Sequence, residues 1–345
     1  MTGTEPKPLL AVLSGKPVSP TPIWLMRQAG RYLSEYRDLR AKAGDFMTLC
    51  FTPDFATEVT LQPIRRFGFD AAILFSDILV IPHALGQRLW FAEGEGPKLE
   101  KFGPADFAKM KAASANTLLA PVFETVSRVK ATLPRNVTLI GFAGAPWTVA
   151  NYMVAGGSSD DSEDLRRFAA THPADLDGLM ETLVEATALY LIEQVRAGAE
   201  VLQIFESWGG AIPAGMVDRY SVEPIRKIIS RVRNSYPSIP FIVFPRGSGM
   251  HLSAYTERTG ANGVSIDFQT SLAKARSIMS PTLATQGNLD PMVLAVGGEA
   301  QSSAISQILE QTAGTPHIFN LGHGIRQETP IRHVENMIAQ VRASR

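Results

Sequence analysis

The stretch that decides the fold runs from residue 173 to residue 210 and reads PADLDGLMETLVEATALYLIEQVRAGAEVLQIFESWGG. Its first part, Pro173–Arg196, has the apolar spacing of one long helix that begins at a proline. The apolar run Val201–Phe205 follows almost at once and is typical of a strand buried on both faces. Polar residues, beginning with Glu206 and Ser207, come directly after it. A helix, a buried strand and a polar turn together form the repeating unit of a parallel α/β sheet.

The same unit recurs along the whole chain. Helices are expected to begin at Thr52-Pro53-Asp54, at Pro224 and at Ile331, and to alternate with short apolar runs. Eight strands separated by helices predict an α/β fold of the (β/α)8 TIM barrel type. Besides the run quoted above, the predicted strands are Ile23–Arg27, Ala71–Phe75, Val137–Phe142, Phe241–Phe244, Gly263–Ile266, Thr282–Gln286 and His317–Asn320.

An open, doubly wound sheet is the alternative arrangement of such units. The chain has neither a GxGxxG after its first strand nor a GxxxxGK[ST], so the usual nucleotide-binding forms of that fold lose support. No Ser/Gly-rich linker and no block of charge divides the sequence, and we therefore expect a single domain over residues 1–345. The glycine-rich segment 80–103 is expected to be an irregular excursion from the barrel.

Composition limits the classes of function. Lys plus Arg and Asp plus Glu are balanced at 33 each, which disfavours a nucleic-acid-binding protein, since that class carries a basic excess. The single cysteine, Cys50, excludes a disulfide within the chain and any zinc site with two thiolate ligands. Because no apolar run approaches the roughly 18 residues of a membrane span and no targeting pattern is found, we expect a soluble, cytoplasmic protein that binds no membrane.

Chemically active side chains follow the predicted strands. In a barrel of this kind the active site lies at the carboxyl ends of the strands, so these residues are the first candidates for it. They are the segment 27–31 after the first strand, Ser76 and Asp77 after the second, Asn151 and Tyr152 beyond the third, Glu206 and Ser207 after the fourth, Arg246 after the fifth, Asp267 after the sixth, Asn288 and Asp290 after the seventh, and His323 after the eighth.

Four arginines lie within fourteen positions near the first strand. A guanidinium binds carboxylate or phosphate through a planar, bidentate fork, and Gly30 lets the backbone approach a ligand, so the group points to a polyanion. The alternative is a solvated helix face with ion pairs to acids such as Glu35, and for Arg37 both interpretations stay open. Arg27 and Arg31, at the strand end, are assigned to the ligand. The four are Arg27, Arg31, Arg37 and Arg40.

Four further residues are candidates for the site. Asp77 lies inside an apolar run, where an ionised carboxylate needs a partner, and that partner is either a protein arginine or a ligand donor. His323 stands between two glycines, which favours exposure to a cavity, although a structural hydrogen bond is the alternative. Ser207 has no GxSxG around it and is better suited to donate a hydrogen bond than to act as a nucleophile. Tyr152, taken alone on a helix, is more typical of a core residue than of a site residue. The other histidines lack metal-ligand spacing, and we predict no metal site.

The motifs resemble those of the uroporphyrinogen decarboxylase family. The segment PIWLMRQAGRYL, residues 22–33, resembles the family's N-terminal signature, and GFAGAPWT, residues 141–148, resembles its second signature. Two departures are Ser34, where the family usually has proline, and Ile266-Asp267-Phe268, which replaces an Asp-Trp pairing. Further blocks occur in the family's order, namely FSDIL from residue 75, ES from 206, FPRG from 244, QGNLDP from 286 and GHG from 322.

The resemblance implies a fold, an assembly and a reaction. These are a single-domain (β/α)8 barrel, a homodimer with facing clefts, and the removal of four acetate carboxyl groups of uroporphyrinogen III as CO2, without cofactor or metal, to give coproporphyrinogen III in heme synthesis. It also implies site residues, with Asp77, Arg27 and Arg31 as the catalytic group and the proton donor left unassigned. The expected substrate contacts are Arg27, Gln28, Ala29, Gly30 and Arg31 to carboxylates, Phe46 lining the cleft, Asp77 to the pyrrole NH groups, and Tyr152, Ser207 and His323 to carboxylates, with Arg40 near the rim.

Two other functions stay open at this point. A corrinoid-related methyltransferase on the same barrel would bind zinc through His and Cys ligands, and the lone Cys50 with no nearby histidine in the sequence argues against it. A non-catalytic tetrapyrrole carrier would use the same arginines. Without the resemblance, a metabolic barrel for some other polyanion would be the default interpretation.

Overall fold

The structure, a computed structural model, describes residues 7–92, 96–159 and 161–344. Seven strands of this described part form one parallel sheet in the order β1-β4-β5-β6-β7-β8-β9, and two more form an antiparallel ribbon. The strands are β1 (Ala71–Ile73), β2 (Leu89–Ala92), β3 (Gly96–Leu99), β4 (Thr138–Gly144), β5 (Val201–Glu206), β6 (Phe241–Pro245), β7 (Gly263–Ile266), β8 (Ala284–Leu289) and β9 (His317–Leu321).

Helices connect these strands and cover the outside of the sheet. The long helix expected from the opening stretch, the helix after Thr52, the helix around Pro224 and the last helix are all present as α11, α4, α12 and α17. The α-helices are α1 (Pro8–Leu13), α2 (Ser34–Ala43), α3 (Phe46–Phe51), α4 (Pro53–Phe67), α5 (Val80–Ala84), α6 (Pro104–Phe107), α7 (Ala115–Leu118), α8 (Ala120–Thr132), α9 (Pro146–Ala155), α10 (Glu163–Thr171), α11 (Pro173–Ala197), α12 (Glu223–Ser235), α13 (Leu252–Arg258), α14 (Leu272–Ile278), α15 (Pro291–Val296), α16 (Gly298–Thr312) and α17 (Ile331–Ala343).

Burial explains why the strand sequences are almost continuously apolar. Strands β5 and β6 are buried along their whole length, because helices cover the outer face of the sheet and side chains fill the inner one. On α12, which packs against α11, Ile225, Ile228, Ile229 and Val232 are buried in the main apolar core, as their helical spacing predicts. The order helix, strand, polar turn therefore places each polar turn at the same end of the sheet.

The first predicted strand is not regular in the structure, and this expectation was wrong in detail. Ile23 forms only an isolated parallel bridge with Phe319 of β9. The main chain nevertheless bonds to both edges of the sheet, because the Trp24 N–H donates to the Phe319 carbonyl at 3.3 Å and the Asp70 N–H donates to the Ile23 carbonyl at 2.9 Å. The Asp70 carboxylate also accepts the Ile23 N–H at 2.7 Å, which takes the place of a second ladder bond.

Polar side chains inside the sheet show how strongly it curls. The indole N–H of Trp24 donates to the Gln286 amide oxygen at 2.9 Å, and the Gln286 amide donates to Gln203 Oε1 at 3.2 Å. Gln203 lies on β5 and Gln286 on β8, with two strands between them in the sheet. Side chains of such distant strands meet only if the sheet folds back on itself. These bonds and a third, from Gln286 Nε2 to Ser265 Oγ at 3.2 Å, satisfy the Gln286 amide, whereas Gln203 Nε2 is buried without a hydrogen-bond partner in the described residues.

The segment 80–103 lies outside the main sheet as expected, but it is more regular than predicted. It contains α5 and the β2–β3 ribbon, in which Leu89 pairs with Leu99. Residues 93–95, at the ribbon's turn, lie outside the described part of the chain. None of the helices in the described residues combines the length and apolar character that crossing a membrane requires.

Candidate active site

Four of the predicted site residues meet at the carboxyl ends of the strands, and we call Arg27, Asp77, Tyr152 and His323 the strand-end cluster. Their proximity is visible in their electrostatics, because the positive charge of Arg27 acts on the pKa of each of the other three. Asp77, Tyr152 and His323 are partly exposed and Arg27 is exposed, so the cluster is open to a ligand. In the described residues the Arg27 guanidinium has no hydrogen bond or ion pair.

The backbone at Arg27 is unusual. Its φ of 62° lies in the left-handed region, which costs a residue with a Cβ about 1–3 kcal/mol and persists where the surroundings enforce it. Main-chain bonds provide that enforcement, with the Gln28 N–H donating to Leu25 O at 3.0 Å and the Ile325 N–H donating to Met26 O at 3.0 Å. The aliphatic part of Arg27 packs where a side chain on Gly324 would stand. The Arg27 side chain therefore lies along the loop that carries His323.

Gln28 has a structural role that its place in the signature does not reveal. The side chain is buried, with Oε1 accepting the Leu25 N–H at 3.1 Å and Nε2 donating to the Ala71 carbonyl at 3.1 Å. Both ends of its amide are therefore used in joining the Arg27 loop to β1. Its main chain is engaged as well, because the Gln28 N–H donates to Leu25 O at 3.0 Å and the Gln28 carbonyl accepts the Tyr32 hydroxyl at 2.8 Å. Ala29 and Gly30, which follow, are partly exposed beside it.

Asp77 lies four residues beyond the end of β1. One carboxylate oxygen, Oδ1, accepts the Leu79 N–H at 2.8 Å, and the described residues form no ion pair with the other. Burial raises the pKa of the Asp77 carboxyl above its ordinary value, while the Leu79 N–H and the Arg27 charge act in the opposite direction. The carboxylate therefore keeps acceptor capacity in a largely apolar setting, where a cation or an N–H donor would be held strongly.

An apolar wall stands beside Asp77. Phe46 contacts Phe75 at 5.8 Å and Phe91 at 4.4 Å between ring centroids. Phe91 belongs to the β2–β3 ribbon, whose other apolar residues pack around Tyr152. The ribbon therefore lies next to the strand-end cluster, and Phe46 is where the resemblance expects a residue that lines the cleft.

His323 and Tyr152 complete the cluster as neutral groups. Burial, together with the positive charges of Arg27 and Arg246, lowers the pKa of His323 to about 3, so the imidazole is uncharged near pH 7. Burial raises the pKa of the Tyr152 phenol, and the Asp77 charge raises it as well. Both side chains can therefore donate or accept a hydrogen bond without adding charge.

The remaining arginines separate into two groups. Arg31 is exposed and forms no ion pair in the described residues, whereas Arg37 donates to the Arg31 carbonyl at 2.7 Å. Arg40 likewise donates to a main-chain carbonyl at the end of its own helix, at 2.8 Å. The pairing of Glu35 with an arginine of the same helix does not occur, because Arg66 of α4 binds both Glu35 oxygens, at 2.6 and 3.0 Å.

Glu206 is a buried acid at the centre of this end of the sheet, and its role was not predicted from the sequence. Thr148 of α9 donates to Oε1, and Ser221 donates to Oε2 at 2.7 Å. Thr148 Oγ1 also accepts the Trp208 N–H at 3.2 Å, so one hydroxyl joins α9, which carries Tyr152, to the loop that carries Ser207. Burial raises the pKa of Glu206 to about 7. The hydroxyl partners favour the ionised form but supply no compensating charge.

Glu206 makes the stability of the fold depend on pH. Its folded pKa of about 7 lies above the ordinary 4.5, so between these values the folded protein holds a proton that the unfolded chain loses. Stability from this group falls as pH rises from 4.5 to 7, by about 3 kcal/mol in total. Glu206→Gln cannot ionise, so its free energy of unfolding should not show this fall. Measured by urea unfolding, the stability of Glu206→Gln relative to the wild type should therefore be higher at pH 8 than at pH 5, by about 3 kcal/mol. Parallel pH profiles for the two proteins would contradict this assignment.

Cys50 is buried within α3, and burial raises the pKa of its thiol. Within residues 7–92, 96–159 and 161–344, no three His, Cys, Asp or Glu side chains are grouped closely enough to hold a metal ion.

Comparison with known proteins identifies the family. The model of the family described as Uroporphyrinogen decarboxylase (URO-D) matches residues 4–344. A relative from Maricaulis maris named uroporphyrinogen decarboxylase is 47% identical over 342 residues and covers 99% of both chains. The chain belongs to the uroporphyrinogen decarboxylase family. A second member of this family, from a Chelativorans species, is 49% identical and covers 98% of both chains.

Solved structures share the fold of this uroporphyrinogen decarboxylase family member. A methyltransferase from Methanosarcina mazei superposes with a TM-score of 0.80 at 20% identity and covers 96% of each chain. A B12-independent methionine synthase from a Shewanella species gives a TM-score of 0.55 at 9% identity, with 85% of this chain covered. At these identities the likeness concerns the fold alone.

Proposed function

We propose that this chain converts uroporphyrinogen III to coproporphyrinogen III by removing its four acetate carboxyl groups as CO2, as a carboxy-lyase of heme synthesis that uses no cofactor. Family membership over nearly the whole chain supports the activity. The observation that carries the mechanism is Asp77, a half-buried carboxylate with one acceptor oxygen that no donor of the described residues occupies, within the electrostatic reach of the Arg27 guanidinium. A carboxylate and a guanidinium that do not pair with each other suit a substrate that offers both N–H donors and carboxylates.

The substrate's own pyrrole ring supplies the electron sink. A proton added to the ring carbon next to the acetate-bearing carbon makes the ring cationic. The bond to the carboxylate then breaks, its electron pair forms an exocyclic double bond, and CO2 leaves with the ring neutral. A proton added to the exocyclic carbon, with loss of the proton from the ring carbon, leaves a methyl group. Each cycle thus replaces one carboxyl group with hydrogen.

Asp77 stabilises the cation in this scheme. Its free oxygen accepts the pyrrole N–H groups, and the positive charge that develops on the ring lies within their reach. Such preorganised electrostatic contacts contribute about 3–4 kcal/mol per group to lowering a barrier. The apolar wall around Phe46 and Phe75 strengthens the attraction, because it keeps the local dielectric constant low.

The other residues bind the substrate's carboxylates. Arg27 and Arg31 provide permanent charge, main-chain groups of Ala29 and Gly30 adjoin them, and Gln28 holds this loop in place through its buried amide. Tyr152, Ser207 and His323 offer hydrogen bonds, with His323 kept neutral by burial and by the neighbouring guanidinium charges. A neutral imidazole can donate to a carboxylate without forming an ion pair that would hold the product.

We also propose the architecture within which these contacts form. The main-chain bonds of the Ile23 segment to β9 and to Asp70, next to β1, support a closed (β/α)8 barrel in which that segment takes the eighth position. One domain over the chain, a homodimer and a cytoplasmic location accompany this proposal as properties inferred from the family resemblance.

An anaerobic incubation with uroporphyrinogen III tests the proposed function. We expect chromatography of the oxidised products to give a ladder from eight carboxylates to four, without any added cofactor and in the presence of a metal chelator. Recovery of the eight-carboxylate compound together with tight binding would assign the chain as a tetrapyrrole carrier. A requirement for zinc would instead favour the methyltransferase-like alternative.

A further inference from the structure

Arg246, directly after β6, is a second free guanidinium at the strand ends. Its side chain is partly exposed, and its one hydrogen bond in the described residues is a long one, from Nη1 to the Ser207 carbonyl at 3.4 Å. It forms no ion pair with a carboxylate in that part of the chain. A guanidinium has five N–H donors, so most of its binding capacity is unused. An unpaired cation in this position is suited to an anionic ligand.

The main chain around Arg246 is held from both sides. Its N–H donates to the Glu206 carbonyl at 3.1 Å, and its carbonyl accepts the Gly210 N–H at 2.9 Å. The next residue, Gly247, has a φ of 73° and donates its N–H to the Asp267 carboxylate at 2.6 Å. These bonds come from β5 and from the end of β7, the two neighbours of β6. These main-chain bonds therefore hold the Cα of Arg246 in a fixed position.

The charge of Arg246 reaches the same residues as that of Arg27. Both guanidinium groups lower the pKa of His323, and both lower that of Tyr152 against the effect of burial. The bond from Arg246 Nη1 to the Ser207 carbonyl, directly after β5, also places this guanidinium at the strand ends, near the strand-end cluster. Two acids, Glu206 and Asp267, have main-chain or side-chain bonds to the Arg246 segment. Neither forms an ion pair with Arg246, because their carboxylates accept hydrogen bonds from other donors.

Arg246 and Arg27 approach the cluster from opposite sides. Between the Ile23 segment and β6 lie β1, β4 and β5 in one direction, and β9, β8 and β7 in the other. A macrocycle that carries carboxylates around its whole rim needs binding groups on both sides of the site to fix its orientation. Arg27 and Arg31 supply charge on the first side, and Arg246 is positioned to supply it on the other.

We propose that Arg246 is a substrate-binding residue that holds a propionate carboxylate of the tetrapyrrole opposite Arg27. This inference rests on the proposed function and deepens it. Because the propionate groups remain on the product, a contact with one of them would hold substrate and product alike. Arg246 then sets affinity and orientation, whereas the chemical step depends on Asp77.

Steady-state kinetics of Arg246→Gln and Arg246→Lys test this inference. We expect Arg246→Gln to raise KM for uroporphyrinogen III by about ten- to a hundredfold, the range for loss of a charged hydrogen bond, with kcat changed far less. Arg246→Lys should recover part of the loss, because it keeps the charge without the fork. Arg231→Gln, on the exposed side of α12, is the matched control and should leave both constants unchanged.

Equilibrium binding of coproporphyrinogen III, under anaerobic conditions, separates this inference from the function on which it rests. Weaker binding by Arg246→Gln than by wild type supports the contact even if the wild type shows no turnover, in which case the proposed function fails alone. Equal binding by the two proteins overturns the contact whatever the turnover. A fall in kcat at unchanged KM, without recovery in Arg246→Lys, would assign Arg246 to the structure of the loop and overturn the proposal.

Discussion

Replacing Asp77 with asparagine is expected to lower kcat by at least about a hundred- to a thousandfold, the usual effect of removing one well-placed electrostatic contact. Asparagine retains an oxygen that can accept the Leu79 N–H, so the local turn should survive the change. It removes the negative charge that we assign to the pyrrole cation and offers an N–H donor in its place. Asp77→Ala, which removes the acceptor as well, is expected to abolish turnover.

The affinity for product provides the control for the Asp77 variants. Coproporphyrinogen III carries no developing charge, so its binding should weaken much less than turnover in Asp77→Asn. Near-normal turnover by a folded Asp77→Asn or Asp77→Ala protein would contradict the counter-charge assigned to this residue. Loss of binding in proportion to turnover would make Asp77 a binding group only.

Replacing Arg27 is expected to lower kcat/KM by about a hundredfold, since its guanidinium holds a substrate carboxylate and forms no competing ion pair in the described residues. The left-handed φ of 62° allows two variants to be compared. Arg27→Ala keeps the backbone strain and Arg27→Gly relieves it, while both remove the charge. We expect equal losses of kcat/KM in the two variants, with Arg27→Gly the more stable to urea.

Unequal losses of kcat/KM in the two Arg27 variants would contradict a role for the guanidinium alone. If Arg27→Gly were nearly as active as wild type while Arg27→Ala was not, the backbone geometry and not the guanidinium would matter to the substrate. Unchanged steady-state constants in both variants would remove Arg27 from the binding group altogether.

Much of the fold could be predicted from local patterns, for physical reasons visible in particular elements. The apolar runs of β5 and β6 are buried on both faces, and such runs leave a clear signal in the sequence. Helix α4 begins at Pro53 and ends before Gly68, whose φ of 64° closes the helix as expected. The first strand failed this reasoning, because the Asp70 side chain replaces a ladder bond and only a bridge remains.

The site could be predicted in position but not in its supporting contacts. The rule that strand ends carry the chemistry places Asp77 and His323 together, and the structure brings both under the charge of Arg27. The buried bond of Gln28 to Ala71 spans 43 positions in sequence and that of Glu206 to Thr148 spans 58, and no local pattern reveals either contact. That Arg246 forms no ion pair in the described residues is likewise apparent only from the three-dimensional positions of its neighbours.

The same anaerobic assay, run in D2O, tests the central claim most directly. If the pyrrole ring acts as the electron sink and the exocyclic carbon is then protonated, each CO2 lost is replaced by one solvent deuteron. The account predicts coproporphyrinogen III with four carboxylates and with one deuterium in each of its four new methyl groups, located by mass and by NMR. Unchanged uroporphyrinogen III, or methyl groups without solvent deuterium, would contradict it.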